Sequence, residues 1–488
     1  MTDNERLLAQ VRPPGWRNPD PWPMYDLVVV GGGAAGLVCA TGAAGLGARV
    51  ALVERSRLGG DCLNTGCVPS KALISAARAV REARLAAGSG VTAAPPRVDF
   101  PEVMRAVRAR RADLAPHDSA VRLTSRGVHV FFGAASFSGP RAVVVGEQTL
   151  RFRRALIASG GRPSAPAVPG LSGVGYLTSD TLFEMAEQPQ RLLVIGGGPT
   201  GCEIAQAFAL LGTAVTLVEA GPRILPREDA EAADIVARQL VGDGVRLLID
   251  TRIREVREVA GAIIADCDAG QVSADTVLVA VGRVPNVEGL NLAQANIRHG
   301  LDGVVVDDRL RTSNHRVYAA GDVCSSLKFT HAADAMARVV IRNALFQGRQ
   351  RASALVIPWC TYTYPELAHV GITAAEAMRL GAAQITIPWT DVDRAVIDRV
   401  PEGFLRVHHH AGRVVAATIV GTQAGELIGY LASLLRRGGR LGELSHEIVP
   451  YPTLADAVRQ AGDHYRRSRL TPRVLSLLRG YFALRRTV

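Results

Sequence analysis

Two cysteines at close spacing are the residues of this sequence best suited to redox chemistry. Four residues separate Cys62 from Cys67, within the glycine-rich segment 59–67. This spacing allows a disulfide loop at the start of a helix, where the helix dipole favours a thiolate. The alternative is two buried cysteines in a glycine-rich turn. We favour a redox-active pair.

A lysine accompanies the pair. Lys71 follows Cys67 by four residues, which places both on one face of a predicted helix. Only two of the 56 basic residues are lysines, Lys71 and Lys328. A retained lysine in such a chain suggests a site that needs a compact ammonium group, with a solvated surface lysine as the alternative.

The remaining cysteines do not form a framework. The chain has seven cysteines at wide spacing, an odd number without paired CxxC units, so neither a disulfide scaffold nor a zinc site is expected. The isolated ones are expected to be packing residues. His408-His409-His410 is expected to form a solvated turn and not a metal site, because adjacent side chains on a strand alternate faces.

A repeated pattern surrounds these residues: an apolar strand, a glycine turn, a helix, a second strand and an acid. The first copy starts at Tyr25 and the second at Arg191. In each, the glycines allow a tight turn and close approach to a pyrophosphate, and the acid can bind ribose hydroxyls. Two dinucleotide sites are therefore predicted. Matching positions lie 165 residues apart: Gly31 and Gly196, Gly36 and Gly201, Gly47 and Gly212, Val50 and Val215, Glu54 and Glu219.

Composition excludes several classes of protein. The 488 residues are 48% hydrophobic, which excludes a mainly disordered chain. The sequence contains neither an apolar run of about 18 residues nor a secretory signal, so a cytoplasmic location is expected. The net charge of +11 is concentrated near the end, where residues 461–488 hold seven arginines against Asp463. A basic patch at one end is weak evidence for nucleic acid, and no nucleic-acid partner is expected.

The tail from Pro472 to Arg486 interleaves arginines with apolar residues at near-helical spacing. Peripheral contact with an anionic membrane and packing against a dimer partner are both open at this point.

The predicted fold class is α/β, with two Rossmann-like dinucleotide-binding domains and a C-terminal α+β domain. Residues 1–24 carry five prolines and are interpreted as a surface arm without a regular helix. The first dinucleotide-binding domain is predicted to comprise 25–160 and 288–350, the second 161–287, and the C-terminal domain 351–488 with the basic tail.

The motifs together resemble the flavin-dependent class I pyridine nucleotide–disulfide oxidoreductases, which include mercuric reductase, dihydrolipoamide dehydrogenase and glutathione reductase. The resemblance covers about residues 24–470. It rests on the cysteine segment, both glycine turns, and the segments 281–286 and 312–323.

This resemblance implies a homodimeric enzyme with bound FAD and NADH. The first dinucleotide-binding domain is then the FAD domain, the second is the NAD(P) domain, and residues 351–488 form the dimerisation domain. Glu219, where NADP-dependent relatives tend to carry arginine, favours NADH because a carboxylate repels a 2′-phosphate, although Arg223 keeps NADPH open. The resemblance also implies that Glu203 pairs with Lys71. The residues assigned to cofactor binding are Gly31, Gly33, Gly36, Glu54, Lys71, Gly133, Gly160, Gly321 and Asp322 for FAD, and Gly196, Gly198, Gly201, Glu203, Glu219 and Gly282 for the nicotinamide nucleotide side.

By the same resemblance, Cys67 is the flavin-facing charge-transfer thiol and Cys62 meets the substrate. The chain departs from the disulfide reductases near its C-terminus, where their catalytic histidine is replaced by Tyr451 and the glutamate that orients it by Asp456. A phenol with a pKa of about 10 is a poor general base, so glutathione and lipoamide are not expected as substrates. An interface aromatic is the alternative role for Tyr451.

Mercuric reductases share this tyrosine, so the chain is interpreted as a mercuric reductase-like enzyme that reduces a thiophilic acceptor such as Hg(II) at Cys62 and Cys67. Two parts of those enzymes are not expected here: a C-terminal cysteine pair, since no cysteine follows Cys360, and a metal-binding domain before Tyr25. The alternatives are a Cu(II) or oxidised-sulfur reductase, a small-disulfide reductase using Tyr451 or His446, and a redox-sensing or membrane-associated flavoprotein partner.

Overall fold

The computed structural model describes residues 1–86, 90–91 and 96–486. The chain forms two compact units, the first made of Met1–Pro222 and Asp243–Leu355, the second of Arg223–Gly242 and Val356–Val488. The mixed α/β architecture confirms the predicted fold class. The division into four sequence segments stays a prediction.

The strands are β1 (Tyr25–Val30), β2 (Val50–Glu54), β3 (Val128–Phe132), β4 (Ala135–Gly139), β5 (Ala142–Val145), β6 (Gln148–Ile157), β7 (Gly161–Pro163), β8 (Arg191–Ile195), β9 (Ala214–Val218), β10 (Arg246–Leu248), β11 (Ile253–Val259), β12 (Ala262–Cys267), β13 (Gly270–Ala274), β14 (Thr276–Val279), β15 (Arg283–Pro285), β16 (His299–Gly300), β17 (Gly303–Val304), β18 (Val317–Ala319), β19 (Trp359–Thr361), β20 (Glu366–Gly371), β21 (Ala383–Pro388), β22 (Phe404–His410) and β23 (Arg413–Gly421).

The α-helices are α1 (Asp3–Val11), α2 (Ala34–Gly45), α3 (Gly60–Asn64), α4 (Cys67–Ala86), α5 (Phe100–Leu114), α6 (Ala120–Ser125), α7 (Ser179–Leu182), α8 (Pro199–Leu210), α9 (Ala230–Gly242), α10 (Thr330–Leu345), α11 (Ala374–Arg379), α12 (Asp393–Ile397), α13 (Ala424–Arg436), α14 (Asp456–Ser468) and α15 (Pro472–Arg485).

Two sheets in the first unit carry the repeated motif on parallel strands, while β4 and β5 of the larger sheet run antiparallel. The larger sheet has seven strands in the order β3-β2-β1-β6-β5-β4, with β18 also paired to β6; the smaller has the order β10-β9-β8-β14. Val30 pairs with Val53 in the first sheet, and Ile195 pairs with Val218 in the second. These two pairs are again 165 residues apart, so the repeat extends to strand register.

Both faces of the larger sheet are covered, as the apolar sequence of β1 requires. Leu27 and Val29 face a core that includes Cys39 of α2 and Met336 of α10. The alternate residue Val28 faces a second core with the β4–β5 hairpin and Phe152. This packing fixes the carboxyl end of β1, where the first glycine turn begins.

The second unit is built on a five-stranded antiparallel sheet, β19-β20-β23-β22-β21. Helix α9 belongs to this unit although its sequence lies between β9 and β10. Arg406 of β22 donates hydrogen bonds to Asp229, at 2.8 Å, and to Glu231, at 2.6 Å, beside the start of α9. Because Arg406 and Asp229 are both buried, this ion pair fixes α9 in place within the unit.

Two expectations about local structure are wrong. Residues 3–11 form α1, begun by a capping box between Thr2 and Glu5, with Leu7 and Val11 buried. The prolines lie beyond the end of this helix, so they do not disrupt it.

The histidine run 408–410 forms the end of β22 and not a solvated turn, and His408 and His409 are buried. The pairing of β22 with β23 shifts register between His408 and His409, so the regular alternation of side chains between the two faces does not hold there. Among the residues that the structure describes, no group of three histidine, cysteine or carboxylate side chains is placed to hold a metal ion.

Residues 472–485 form a regular helix, α15, which begins after the capping residue Thr471. Within the described ranges, no helix is both long and apolar enough to cross a membrane.

Candidate active site

The two glycine turns have the same backbone geometry. Gly31 and Gly196 have φ angles of +110° and +109°, in the region that favours glycine. A Cβ on Gly36 would lie 1.8 Å from the carbonyl oxygen of Gly31, and one on Gly201 would lie 1.9 Å from that of Gly196. Only glycine allows each helix to approach its strand this closely.

The acids that end the second strand of each motif also occupy equivalent positions. Glu54 accepts hydrogen bonds from the N–H groups of Gly32, at 2.7 Å, and Ser56, at 2.6 Å. Glu219 accepts from Gly197, at 2.7 Å, and Gly221, at 2.6 Å. Each carboxylate is thereby held at the mouth of its glycine turn, where a ribose can reach it.

The helix N-termini suit a pyrophosphate. Gly33 and Gly198 are the N-cap residues of α2 and α8 and have no side chain that could cap the helix. The N–H groups in the first turn of each helix therefore face its glycine turn. A Cβ on Gly198 would point into open space, and one on Gly33 would come only within 3.6 Å of Gly60. Both turns therefore fit a dinucleotide.

The remaining glycines assigned to cofactor binding lie at turns around this region. Gly133 follows β3 and donates its N–H to the carbonyl of Glu54 at 2.9 Å. Gly160, Gly282 and Gly321 have positive φ angles of 69°, 121° and 79°. A side chain at any of these three would strain the backbone.

Asp322, which follows Gly321, belongs to a partly buried polar group. Arg283 lies between two carboxylates, with its Nε 3.5 Å from Asp322 Oδ2 and its Nη2 hydrogen-bonded to Asp61. Burial raises the pKa of both Asp61 and Asp322, and Arg283 opposes this rise. Sequence analysis missed the Arg283–Asp61 contact, which links the residue before Cys62 to the segment 281–286.

The cysteine pair lies at the junction of two helices. Cys62 is on the short helix α3, and Cys67 is the first residue of α4; both are free thiols in the structure. The hydrogen bond between the two sulfurs, together with burial, raises the pKa of Cys62. The same hydrogen bond lowers the pKa of Cys67. Thr330 and the positive charge of Lys71 lower it further, so Cys67 is the thiolate and Cys62 the thiol of the reduced pair.

Lys71 connects this pair to the second motif. Its Nζ lies 2.8 Å from Oε2 of Glu203, whose side chain is 7% exposed. The structure thus contains the ion pair that the family resemblance implies. Because Glu203 is on α8, which starts at the second glycine turn, the ion pair links the helix that begins at Cys67 to the second motif.

Thr330 is a site residue that sequence analysis missed. It is the first residue of α10, and its hydroxyl lies 3.2 Å from the sulfur of Cys67. With Cys67 as thiolate, the hydroxyl donates this hydrogen bond. The two residues are 263 positions apart, and none of the sequence motifs includes Thr330.

Replacing Thr330 with valine is expected to raise the pKa of Cys67, because valine keeps the shape and removes the donor. A hydrogen bond to a charged group contributes about 1.5–3 kcal/mol. The pH at which the alkylation rate of Cys67 rises should therefore be about one to two units higher than in the wild type. The measurement is the rate of iodoacetamide modification against pH, with each cysteine quantified by mass spectrometry. Thr330→Ser is the matched control, and an unchanged profile in Thr330→Val would contradict this role.

Tyr451 and Asp456 lie in the second unit and do not form the expected pair. The hydroxyl of Tyr451 donates to Oδ2 of Asp393 at 2.8 Å, and the side chain is exposed. Asp456 is held instead by Arg459, at 2.8 Å. The prediction that Asp456 orients Tyr451 is therefore corrected to Asp393, which the sequence did not indicate. The hydrogen bond to Asp393 raises the pKa of Tyr451, so the phenol stays protonated at neutral pH.

Comparison with known proteins agrees with this geometry. Residues 25–337 match the pyridine nucleotide-disulphide oxidoreductase family, and residues 357–462 match the dimerisation domain of the same family. A mercuric reductase from Streptomyces lividans is 34% identical over 90% of this chain and 96% of its own length. A dihydrolipoyl dehydrogenase from Bacillus subtilis (strain 168) is 31% identical over 89% of this chain and 97% of its own length.

A solved structure supports the fold. The Cu(II) complex of the HOCl-induced flavoprotein disulfide reductase RclA from Escherichia coli has a TM-score of 0.80 and 26% identity, covering 89% of this chain and 98% of that one. The matches to both domains support a homodimeric, FAD- and pyridine nucleotide-dependent oxidoreductase. The chain belongs to the class I pyridine nucleotide-disulphide oxidoreductases.

Proposed function

We propose that this enzyme uses NADH to reduce a thiophilic acceptor, with Hg(II) the first candidate, at Cys62 and Cys67. The observation that carries the proposal is the combination of a polarised thiol–thiolate pair with a protonated tyrosine at the position where disulfide reductases carry a histidine. When bound, NADH would supply a hydride, and FAD would carry its two electrons toward the cysteine pair. Transfer of those two electrons converts Hg(II) to Hg(0) and releases NAD⁺ and one proton.

The residues of the chain prepare the acceptor for this transfer. Cys67, already a thiolate, provides one soft ligand, and Cys62 provides the second when it releases its proton. Two-thiolate binding needs no proton delivered to a leaving thiol, so a neutral phenol at Tyr451 is compatible with the reaction. Reduction of a disulfide does need such a proton, and Tyr451 held by Asp393 is a weak source of it at neutral pH.

NADH is the proposed electron donor because the carboxylate of Glu219, held next to the second glycine turn, suits a ribose 2′-hydroxyl and repels a 2′-phosphate. Arg223, the cation that kept NADPH open, donates to the carbonyl groups of Pro226, at 2.9 Å, and Glu228, at 3.2 Å. These bonds orient its guanidinium toward its own loop.

Glu219→Ala is expected to lower kcat/KM for NADH about 10- to 100-fold, since a hydrogen bond to a charged group contributes about 1.5–3 kcal/mol. The value for NADPH should rise, because the repulsion of its 2′-phosphate is removed. Initial rates with each nucleotide and ferricyanide as acceptor measure both values, with FAD content as the control. A wild-type enzyme that prefers NADPH would contradict the proposal.

Reduction of a small disulfide is the second candidate, favoured by the similarity to a dihydrolipoyl dehydrogenase and to a flavoprotein disulfide reductase. His446, proposed as its alternative acid–base group, lies with its Nε2 3.0 Å from an Nη1 nitrogen of Arg466.

Anaerobic NADH oxidation by the holoenzyme distinguishes the candidates. Thiol-buffered Hg(II), Cu(II) and a panel of disulfides are offered in parallel, with Cys62→Ala as the matched variant. Turnover with Hg(II) that disappears in Cys62→Ala supports the proposal. Turnover of a disulfide without turnover of either metal would replace it with the second candidate.

We also propose a cytoplasmic location, because the widely spaced cysteines are typical of a reducing compartment.

A further inference from the structure

The C-terminal helix α15 leaves apolar side chains uncovered. At 100° per residue, these side chains fall on one half of the helix circumference. A stripe of this size is normally buried, so it indicates a surface that another body covers. Its members, between 37% and 74% exposed, are Val474, Leu475, Leu477, Leu478, Tyr481, Phe482 and Leu484.

The charge of this region is of one sign. Residues 464–486 contain seven arginines and no aspartate or glutamate. Arg473, Arg479 and Arg486 lie on the half of α15 opposite the apolar stripe, whereas Arg485, the last residue of the helix, lies on the apolar half. The tail of a second copy would bring the same seven arginines, so electrostatics favour an anionic partner over contact between two tails. The apolar stripe further favours a lipid surface over a nucleic acid.

A basic cavity adjoins the start of this helix. It has a volume of about 380 Å³ and lies between the 3-10 helix Leu441–His446 and α14. Its lining residues are Arg440, Gly442, Glu443, His446, Tyr465, Arg466 and Arg469. Arg469 precedes the capping residue of α15 by two positions, so the cavity and the helix are contiguous.

The three arginines of the cavity are oriented by neutral groups. Arg440 donates to the carbonyl of Ala411 at 3.0 Å, Arg466 to the hydroxyl of Ser445 at 3.0 Å, and Arg469 to that of Tyr465 at 3.4 Å. Glu443 is the one acid in the lining, and its Oε1 accepts the backbone N–H of Arg440 at 2.8 Å. The cavity therefore has a surplus of guanidinium donors, the groups that bind phosphate through paired N–H bonds.

We propose that α15 and this cavity dock together on an anionic membrane surface. The apolar stripe enters the boundary between headgroups and acyl chains, and the cavity binds the phosphate of a lipid headgroup. A helix of 14 residues is about 21 Å long, shorter than the roughly 30 Å core of a bilayer, so it lies along the surface and does not span it.

Co-sedimentation of the full-length holoenzyme with vesicles tests this proposal. Vesicles of phosphatidylcholine alone are compared with vesicles containing phosphatidylglycerol, at low and high salt. We expect binding only to the anionic vesicles, weakened by salt. Leu478→Glu/Phe482→Glu should abolish binding. Arg466→Gln/Arg469→Gln should weaken it about 30-fold, at about 1 kcal/mol for each basic residue near the surface.

Arg298→Gln/Arg349→Gln is the matched control, because it removes the same charge from exposed positions outside the tail and should bind as the wild type does. FAD content and melting temperature verify that each variant folds, and deletion of residues 471–488 provides a second tail variant. Equal binding to both vesicle types, or none, would overturn the proposal. Loss of the dimer in the tail variants would instead assign the stripe to a second copy. Competition by millimolar inorganic phosphate without vesicle binding would assign the cavity to a free anion.

Discussion

Replacing Cys67 with alanine is expected to abolish the long-wavelength absorbance of the reduced enzyme and to lower its turnover more than about 1,000-fold. Such absorbance requires a thiolate beside oxidised flavin, and Cys67 is the cysteine whose pKa the site lowers. This absorbance is measured between roughly 500 and 600 nm during an anaerobic titration with NADH. Retention of the band in this variant would assign the thiolate to another residue.

Cys62→Ala is the informative companion, because it removes substrate chemistry and leaves Cys67 in place. The hydrogen bond from Cys62 is the largest factor that lowers the pKa of Cys67, so its loss raises that pKa. The band should therefore persist in this variant and appear at higher pH than in the wild type, since a thiolate forms only as pH rises through the thiol pKa. A band that appears at lower pH would contradict the direction of coupling between the two sulfurs.

The parts of this site that repeat or lie close in sequence were predictable. The pair Gly31 and Glu54 recurs as Gly196 and Glu219, and both copies fold with the same register and the same hydrogen bonds. A dinucleotide turn constrains its own sequence, because any side chain at Gly36 or Gly201 would collide with backbone. Local steric demands of this kind are visible without a structure.

The parts that depend on tertiary packing were not predictable. Thr330 reaches Cys67 only because the first unit brings the start of α10 to the start of α4. Asp393 takes the place expected for Asp456 because Arg459, three residues after Asp456 on the same helix, holds that carboxylate. In each case an ordinary polar residue gains its role from a neighbour far away in sequence, and its type alone carries no signal.

Substitutions in the two glycine turns are expected to weaken the binding of different nucleotides. Gly36→Ala should purify with little FAD, because its Cβ would lie 1.8 Å from the carbonyl oxygen of Gly31 and the turn must open. A backbone shift of this kind costs about 1–3 kcal/mol, which weakens binding about 10- to 100-fold. Absorbance at about 450 nm per chain measures FAD retention.

Gly201→Ala should show the opposite pattern, because the same collision, at 1.9 Å, falls in the second turn. This variant should keep its flavin while reduction by NADH slows about 10- to 100-fold, and chemical reduction by dithionite should remain normal. Gly45→Ala is the matched control: it lies at the end of α2 with no atom within 4 Å of the new Cβ, and it should keep both functions. If Gly201→Ala loses FAD and Gly36→Ala keeps it, the assignment of the two turns is reversed. The two turns have the same local structure. A difference between the two variants in which cofactor they lose would therefore report which cofactor each turn binds.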